Sequence, residues 1–310
     1  MGEQKSISRI FLSAADTLVN LIAILALALA GMYAGYALWD NNRIYSAAED
    51  VRSDMIQWKP VIDEDGGASF EELLAVNPDV CAWVTLDGTS IDYPVLQGET
   101  NLTYINTDVY GNFALAGSIF LDSRNSNDFS DPYSLLYGHH MENSGMFGDL
   151  DLYKDEAFFA KNTTGTLILP GQVYNLEIYA CLVISASDQA IFEPERWQAG
   201  IDGLLAYAEK HAVLLNRQAS KKIAAMEQPQ VLGFSTCATE FTDARTIILA
   251  VMESRAADQE VNENEEDRQI VDNADAGGGI PVCPGSSGFC RFRLCDSADS
   301  CKGNPEGRGS

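Results

Sequence analysis

Between Thr17 and Trp39 the chain carries no charged side chain. The stretch is long enough to cross the hydrocarbon core of a bilayer, which needs about 20 apolar residues. Its far end carries the aromatic residues Tyr33, Tyr36 and Trp39, which are typical of the lipid–water boundary. It also lacks the polar face that a helix at the surface of a soluble protein would show. The pattern therefore predicts a transmembrane anchor over residues 17–39, in contact with membrane lipid.

The charges that flank this stretch give a weak indication of its orientation. Lys5 and Arg9 precede it, and Arg43 and Arg52 follow it, so the basic side chains balance. The free amino group then favours a cytoplasmic N-terminus over residues 1–16, and a single-pass protein in the cell membrane whose later residues are extracellular. The alternative is a cleaved signal peptide, because residues 28–30 fit the small-x-small cleavage pattern. In both cases the bulk of the chain is expected outside the cytoplasm.

Composition excludes several functional classes. Acidic residues outnumber basic ones by 45 to 20, so the formal net charge is −25. A nucleic-acid-binding protein needs a basic surface, and we therefore expect no nucleic-acid partner. The three histidines are too few for a centre with several histidine ligands, and no CxxC motif occurs. We expect neither a metal site nor a cofactor.

The pattern along the chain predicts five regions. After the N-terminus and the anchor comes a helical lead-in over residues 40–76, with an acidic, glycine-containing linker near its end. Short β-type runs separated by polar or helical connections fill residues 77–253, and they predict a mainly-β barrel or sandwich with inserted helices. The largest insertion, residues 194–217, reads as one amphipathic helix that includes Val213. Residues 254–310, acidic and then rich in Gly, Ser and Cys, read as a disordered tail.

Three residues carry the chemistry that the sequence suggests. Cys237 ends the apolar run that begins at Val231, and Arg245 opens the next run eight residues later. If the two runs form a hairpin, Cys237 and Arg245 lie opposite each other and share a face. The guanidinium can stabilise a thiolate and hold an oxyanion, and His139 can carry the proton.

Each of these three residues also has a structural interpretation. A cysteine is often an inert core residue, a histidine beside glycine is often a turn residue, and an arginine at a strand start is often a surface charge. We expect Cys81 and Cys181 to be core residues of this inert kind, because both lie in apolar runs. His211, beside Lys210, is expected at the surface.

The order and spacing of these motifs resemble those of class B sortases over about residues 40–252. The cysteine motif is Ser235-Thr236-Cys237 with Arg245 eight residues on, and the histidine motif is Tyr137-Gly138-His139. Further matching segments are Phe70-Glu71-Glu72-Leu73, Ala82-Trp83-Val84, Ile91-Asp92-Tyr93-Pro94-Val95, Gly117-Ser118-Ile119-Phe120-Leu121-Asp122 and Met146-Phe147-Gly148-Asp149-Leu150. The resemblance implies a closed eight-stranded antiparallel sortase-type β-barrel over residues 77–253, with inserted helices, an N-terminal helical extension and one transmembrane helix.

The resemblance also implies an activity and its residues. It implies a membrane-anchored cysteine transpeptidase of a Gram-positive-type cell, which cleaves the C-terminal sorting signal of a surface protein after Thr. Cys237 would form a thioester, His139 would act as acid and then base, and Arg245 would hold the carbonyl and the oxyanion. Ser235 and Thr236 would line the substrate groove. An amine of a peptidoglycan precursor would then receive the surface protein.

The chain departs from the family pattern at two positions near the site. Phe234 stands three residues before the cysteine, where leucine is common in the family, and predicts a reshaped groove. His140 beside His139 offers a second histidine for the same role. Two alternatives of function stay open: a transpeptidase that polymerises pilins through a lysine amine, and a non-catalytic anchored module that binds an extended peptide.

Overall fold

A single helix joins the predicted anchor to the rest of the molecule in the computed structural model, which describes residues 2–62, 68–238 and 242–255. Helix α1 runs without interruption over Gly2–Ile56. It ends four residues before Pro60, which disfavours helical conformation in the residue before it. Within the described residues, α1 is the one helix long and apolar enough to cross a membrane, and its most apolar stretch is not buried by other parts of the protein. The helical lead-in is therefore continuous with the anchor.

Eight strands close into a barrel, as the resemblance implies. Around the barrel the order is β5-β1-β2-β3-β4-β8-β9-β6, closed by pairing of β5 with β6, while β7 adds to the free edge of β6. The strands are β1 Val80–Leu86, β2 Asp92–Leu96, β3 Ile119–Leu121, β4 Tyr133–Tyr137, β5 Thr164–Leu169, β6 Gln172–Ser185, β7 Ala212–Leu215, β8 Gln230–Cys237 and β9 Ala244–Ser254.

Two of the eight barrel pairings are parallel, which corrects the expectation of a fully antiparallel barrel. Strand β2 pairs with β3, and β4 pairs with β8, in parallel registers. Parallel neighbours need long crossover connections. The chain supplies them, because residues 97–118 join β2 to β3 and a much longer path that includes β5–β7 joins β4 to β8.

Short helices fill the connections. They are α2 Glu71–Val76, α3 Glu156–Lys161, α4 Gln189–Phe192, α5 Asp202–His211 and α6 Arg217–Ile223, with 3-10 helices at Gly148–Lys154 and Pro194–Trp197. The predicted single helix over residues 194–217 is wrong, since this region holds a 3-10 helix, α5 and β7. Gly200, at a φ of +143°, separates the first two, and Val213 lies on β7 instead of a helix.

Strands β8 and β9 are covered on both faces, which explains why they read as continuous apolar runs. Leu232 and Phe234 face the barrel interior with the core residues of β1 and β5. The alternating residues, such as Val231 and Ile247, pack outward against Leu204 of α5 and other residues of α5 and α6.

The structure bears on some of the smaller sequence predictions and not on others. Cys81 and Cys181 are buried, as predicted, and His211 is exposed at the end of α5. The predicted linker at 63–67 lies outside the described residues, as does the predicted tail from residue 256 onward.

Candidate active site

The barrel brings the cysteine, histidine and arginine motifs to one rim. Cys237 is the last residue of β8 and pairs with Arg245 of β9 in antiparallel register, so the hairpin prediction is confirmed. On the other side of β8, the parallel register pairs Ser235 with Tyr137 of β4. His139 follows Tyr137 by two residues, as Cys237 follows Ser235. Because neighbouring strands lie about 4.8 Å apart, Cys237 and Arg245 start from adjacent backbone positions, and the loop that carries His139 leaves β4 beside the end of β8.

Cys237 differs from the other two cysteines in the described part of the chain. It is exposed, whereas Cys81 and Cys181 are buried. Burial raises the pKa of the Cys81 thiol to about 12, which keeps that sulfur protonated and inert. Of the described cysteines, only Cys237 is accessible to a substrate.

The histidine loop is fixed by backbone contacts. The amide of Gly138 donates to the carbonyl of Ser235 at 3.1 Å and extends the β4–β8 ladder, and the amide of Phe147 donates to the carbonyl of His139 at 3.0 Å. Only glycine fits at position 138, because a Cβ there would lie 2.5 Å from Cδ1 of Ile119 and 2.7 Å from Cδ2 of Phe147. The close packing of Gly138 against Ile119 and Phe147 thus fixes the backbone that carries His139 at the rim.

One hydrogen bond defines the tautomer of His139. Its Nε2 lies 2.7 Å from the carbonyl oxygen of Ile105, in the crossover between β2 and β3. A carbonyl can only accept, so Nε2 carries the hydrogen. In the neutral ring Nδ1 is then the basic nitrogen, and it is the atom that can take up or release a proton at the site.

Arg245 is half-buried beside Cys237 on the outward face of the hairpin. One of its five N–H groups, on Nη1, donates to the carbonyl of Ala244 at 2.9 Å. This bond to the neighbouring backbone restrains the guanidinium near the strand that carries it. Arg245 also lies opposite Ile184 of β6, so its position is set by strands on both sides.

The structure gives Ser235 and Thr236 different environments. Both are 2% exposed. Ser235 shares the outward face of β8 with Cys237, two residues further on. Thr236 points inward, and its Oγ1 has no hydrogen-bond partner among the described residues. Their place in a substrate groove stays a prediction. Phe234 also points inward, where its ring meets the ring of Phe147 edge-on with centroids 5.8 Å apart. Its effect on the shape of the groove stays a prediction.

A second histidine contact ties the histidine loop to β9. Nε2 of His140 lies 3.1 Å from Oδ2 of Asp151, in the 3-10 helix that begins at Gly148. Oδ1 of Asp151 accepts from the hydroxyl of Thr246 and from Lys154, each at 2.8 Å. Burial by itself would raise the pKa of Asp151, but the bonds from Lys154 and Thr246 hold it below its ordinary value. His140 therefore has a carboxylate partner that links it to the residue after Arg245.

A buried ion pair supports the site from β3 and β4. Asp122 is fully buried and accepts from Nε and Nη2 of Arg124 at 2.8 Å each, and from the hydroxyl of Tyr137 at 2.9 Å. The ring of Tyr137 stacks on Phe192 of α4 at 6.4 Å. Neither this cluster nor the contact between His140 and Asp151 was expected, because both depend on how the loops after β3 and β4 fold back, which the sequence pattern does not reveal.

No group of three or more His, Cys, Asp and Glu side chains in the described parts of the chain is arranged to hold a metal ion.

Comparisons with known proteins give consistent similarities, although the chain matches no family model. Sortase B of Listeria monocytogenes is 33% identical over 172 residues, which cover 55% of this chain and 69% of the relative. Among solved structures, a Streptococcus pyogenes class B sortase involved in pilus biogenesis has 37% identity and a TM-score of 0.54, covering 60% of this chain and 98% of the other. The Staphylococcus aureus sortase B–substrate complex has 25% identity and a TM-score of 0.54, covering 68% and 94%.

Proposed function

Since this chain belongs to the class B sortases, and is thus a cysteine transpeptidase, we propose that it cleaves the sorting signal of a surface protein after Thr and transfers that protein to a cell-wall amine. The observation that carries the proposal is the register of β8 and β9, which sets the exposed thiol of Cys237 opposite Arg245. The substrate complex of the Staphylococcus aureus relative supports a sorting-signal substrate.

The first half of the reaction forms a thioester. The thiolate of Cys237 attacks the carbonyl carbon of Thr in the signal, and the carbonyl oxygen becomes an oxyanion. Arg245 donates hydrogen bonds to that oxyanion, and these bonds strengthen as its charge develops. His139, protonated on both ring nitrogens, gives the proton on Nδ1 to the leaving amine as the C–N bond breaks. Cys237 then carries the acyl group, and His139 is neutral.

The second half transfers the acyl group. Neutral His139 takes a proton from the incoming amine at Nδ1, the nitrogen left basic by the bond from Nε2 to Ile105. The amine attacks the thioester carbon, and Arg245 again holds the oxyanion. Collapse releases the thiolate of Cys237 and restores the imidazolium. The histidine thus acts as acid in one half and as base in the other. We assign this role to His139 because it is the histidine of the family motif, whereas Nε2 of His140 contacts the carboxylate of Asp151.

The proposed location follows from α1. The N-terminal helix anchors the protein in the cell membrane with residues 1–16 inside the cell, and the barrel acts at the outer surface, where surface proteins and peptidoglycan precursors meet. The apolar character of α1 and its lack of burial by the rest of the protein support this arrangement.

A pilin-polymerising transpeptidase is the second candidate. It shares every step above and differs in the acceptor, which would be a lysine amine of a pilin. The observation in its favour is the 37% identity to the Streptococcus pyogenes enzyme involved in pilus biogenesis.

The test uses the full chain in detergent micelles with a panel of fluorogenic sorting-signal peptides. Each peptide is supplied with a peptidoglycan-type peptide amine or a lysine-containing pilin domain, and products are identified by mass spectrometry. We expect cleavage after Thr and transfer to the peptidoglycan-type amine; transfer to the pilin lysine alone would establish the second candidate. Cys237→Ala should abolish both steps, whereas Cys81→Ala, which changes a buried thiol, should retain them. Cleavage by Cys237→Ala at the wild-type rate would refute the mechanism.

A further inference from the structure

The barrel is held close to the predicted membrane boundary because α1 has no break between them. Trp39 ends the uncharged stretch, and Ile44 and Tyr45 already pack against the barrel core. The five helical residues that follow Trp39, ending at Ile44, extend α1 by only about 7.5 Å along its axis. No flexible linker separates the anchor from the barrel in α1. Whatever the barrel exposes beside residues 40–47 must therefore lie near the bilayer surface.

The crossover from β2 to β3 exposes large apolar side chains at this place. Phe113 is 77% exposed and Leu115 is 53% exposed. Both line a groove of ≈ 380 Å³ together with Asp40, Arg43 and Ile44 of α1. The two apolar side chains thus lie against the first two turns of α1 beyond the predicted boundary.

The exposure of Phe113 is built into an ordered turn. The carboxylate of Asp108 accepts from the amides of Tyr110 and Asn112 at 2.9 and 2.8 Å. The amide of Ala114 donates to the carbonyl of Asn106 at 3.0 Å, and Thr107 bridges to Phe113. A segment with this many internal bonds presents its apolar side chains in a defined direction.

We propose that Phe113 and Leu115 insert into the interfacial region of the bilayer that holds α1. The inference rests on the proposed membrane anchor. Aromatic and leucine side chains are the residues that enter the boundary between headgroups and acyl chains. The net charge of −25 disfavours attachment through lipid charge, so the contact is apolar. The guanidinium of Arg43 lies 5.0 Å from the ring of Trp39. In the proposed orientation it is at the level of the lipid phosphates along the membrane normal.

This contact bears on the active site through the same crossover. Ile105, whose carbonyl accepts from Nε2 of His139, precedes Phe113 by eight residues in one connected segment. A bilayer that holds Phe113 and Leu115 also restrains the segment that orients the histidine ring.

Site-specific photocrosslinking to lipid tests the inference. A benzoylphenylalanine is substituted in turn at Phe113, Leu115, Val213 and Trp39 in the full chain, reconstituted in vesicles of phosphatidylcholine and phosphatidylglycerol. Val213 is the matched control, because it is 53% exposed like Leu115 but lies on β7, which pairs with β6 across the barrel from β2 and β3. Trp39 reports on the anchor itself. Lipid adducts are quantified by mass spectrometry after irradiation.

We expect about tenfold more lipid adduct at Phe113 and Leu115 than at Val213, as expected for side chains inside the interface. Adducts at Trp39 with only the Val213 level at both crossover positions would overturn this inference and leave the anchor in place. An absence of adducts at Trp39 would instead overturn the anchor, and with it this inference. Peptide transfer measured in detergent tests the proposed reaction independently of both results.

Discussion

The ion pair beneath Tyr137 offers a sharp test of how the site is supported. Removing the carboxylate in Asp122→Ala deprives Arg124 of its two bonds at 2.8 Å and the hydroxyl of Tyr137 of its acceptor. Asp122 also accepts from Nδ2 of Asn101 at 3.0 Å. All of these donors would be left without their partner in a position with no solvent access at the carboxylate.

The size of the effect follows from burial. Breaking a buried ion pair by removing one partner destabilises a protein by roughly 3–5 kcal/mol. We expect about 3 kcal/mol here, at the lower end of that range, because the side chain of Arg124 is 34% exposed and can be partly hydrated. The same arginine provides an internal control. Glu195 contacts it at 3.4 Å but is 53% exposed, so Glu195→Ala should change stability by less than about 0.5 kcal/mol.

Thermal unfolding of the full chain in detergent, followed by circular dichroism, measures both variants. For a domain of this size 1 kcal/mol shifts Tm by about 2–4 °C, so Asp122→Ala should lower Tm by about 6–12 °C. Glu195→Ala should leave Tm within about 2 °C of the wild-type value. Equal Tm values for the two variants would refute the argument that burial, and not the mere presence of an arginine contact, determines the contribution.

The pH dependence gives the same prediction a second readout. Burial would raise the pKa of Asp122, but the bonds and charge of Arg124 and the bond from Tyr137 outweigh it and lower the pKa below its ordinary value. A lowered folded-state pKa contributes stability above the unfolded-state value of about 3.9, and that contribution is lost as the pH falls further. The difference in Tm between wild type and Asp122→Ala should therefore be constant from about pH 5 to 7 and shrink below about pH 4. A difference that grows on acidification would contradict this sign.

Three further predictions concern the rim. Arg245→Lys keeps the charge but loses the fork of donors, so kcat for peptide cleavage should fall about 100-fold with Tm unchanged; a wild-type kcat would exclude the oxyanion role. Asp151→Asn weakens the tie from His140 to β9 and should lower kcat about tenfold with little change in KM. The matched control is Asp92→Asn, because the carboxylate of Asp92 also accepts from a ring nitrogen, a threonine and a lysine. An equal loss of kcat in Asp92→Asn would count against positioning of His140 by Asp151. Gly148→Ala places a Cβ 2.1 Å from the carbonyl oxygen of Met141, so Tm should fall by about 4–8 °C for a strain of about 2 kcal/mol; an unchanged Tm would show that the turn can relax.

The sequence predicted those parts of the site that depend on nearby residues. Cys237 and Arg245 are eight residues apart, and a hairpin that joins two apolar runs puts them opposite each other without further information. The burial of Cys81 followed in the same way from the apolar run around it. The long helix α1 followed from an uncharged stretch and a periodic lead-in, both of which are local patterns.

The parts that the sequence did not predict depend on contacts between distant segments. The parallel pairing of β4 with β8 brings Tyr137 beside Ser235 across about a hundred residues, and single-sequence patterns carry no register for such pairs. The bond from Thr246 to Asp151 spans a similar distance. The sequence predicts a helix at β7 because its short apolar run continues the spacing of α5, and only the pairing with β6 makes this segment extended.

The most direct test of the central claim is the acyl-enzyme on Cys237. The full chain is incubated with a sorting-signal peptide without an added amine, quenched in acid, digested and sequenced by tandem mass spectrometry. The account predicts the mass of the peptide's acyl fragment on Cys237, none on Cys81 or Cys181, and loss of the adduct when an amine is added. Cleavage of the peptide with no acyl group on Cys237 at any time would contradict it.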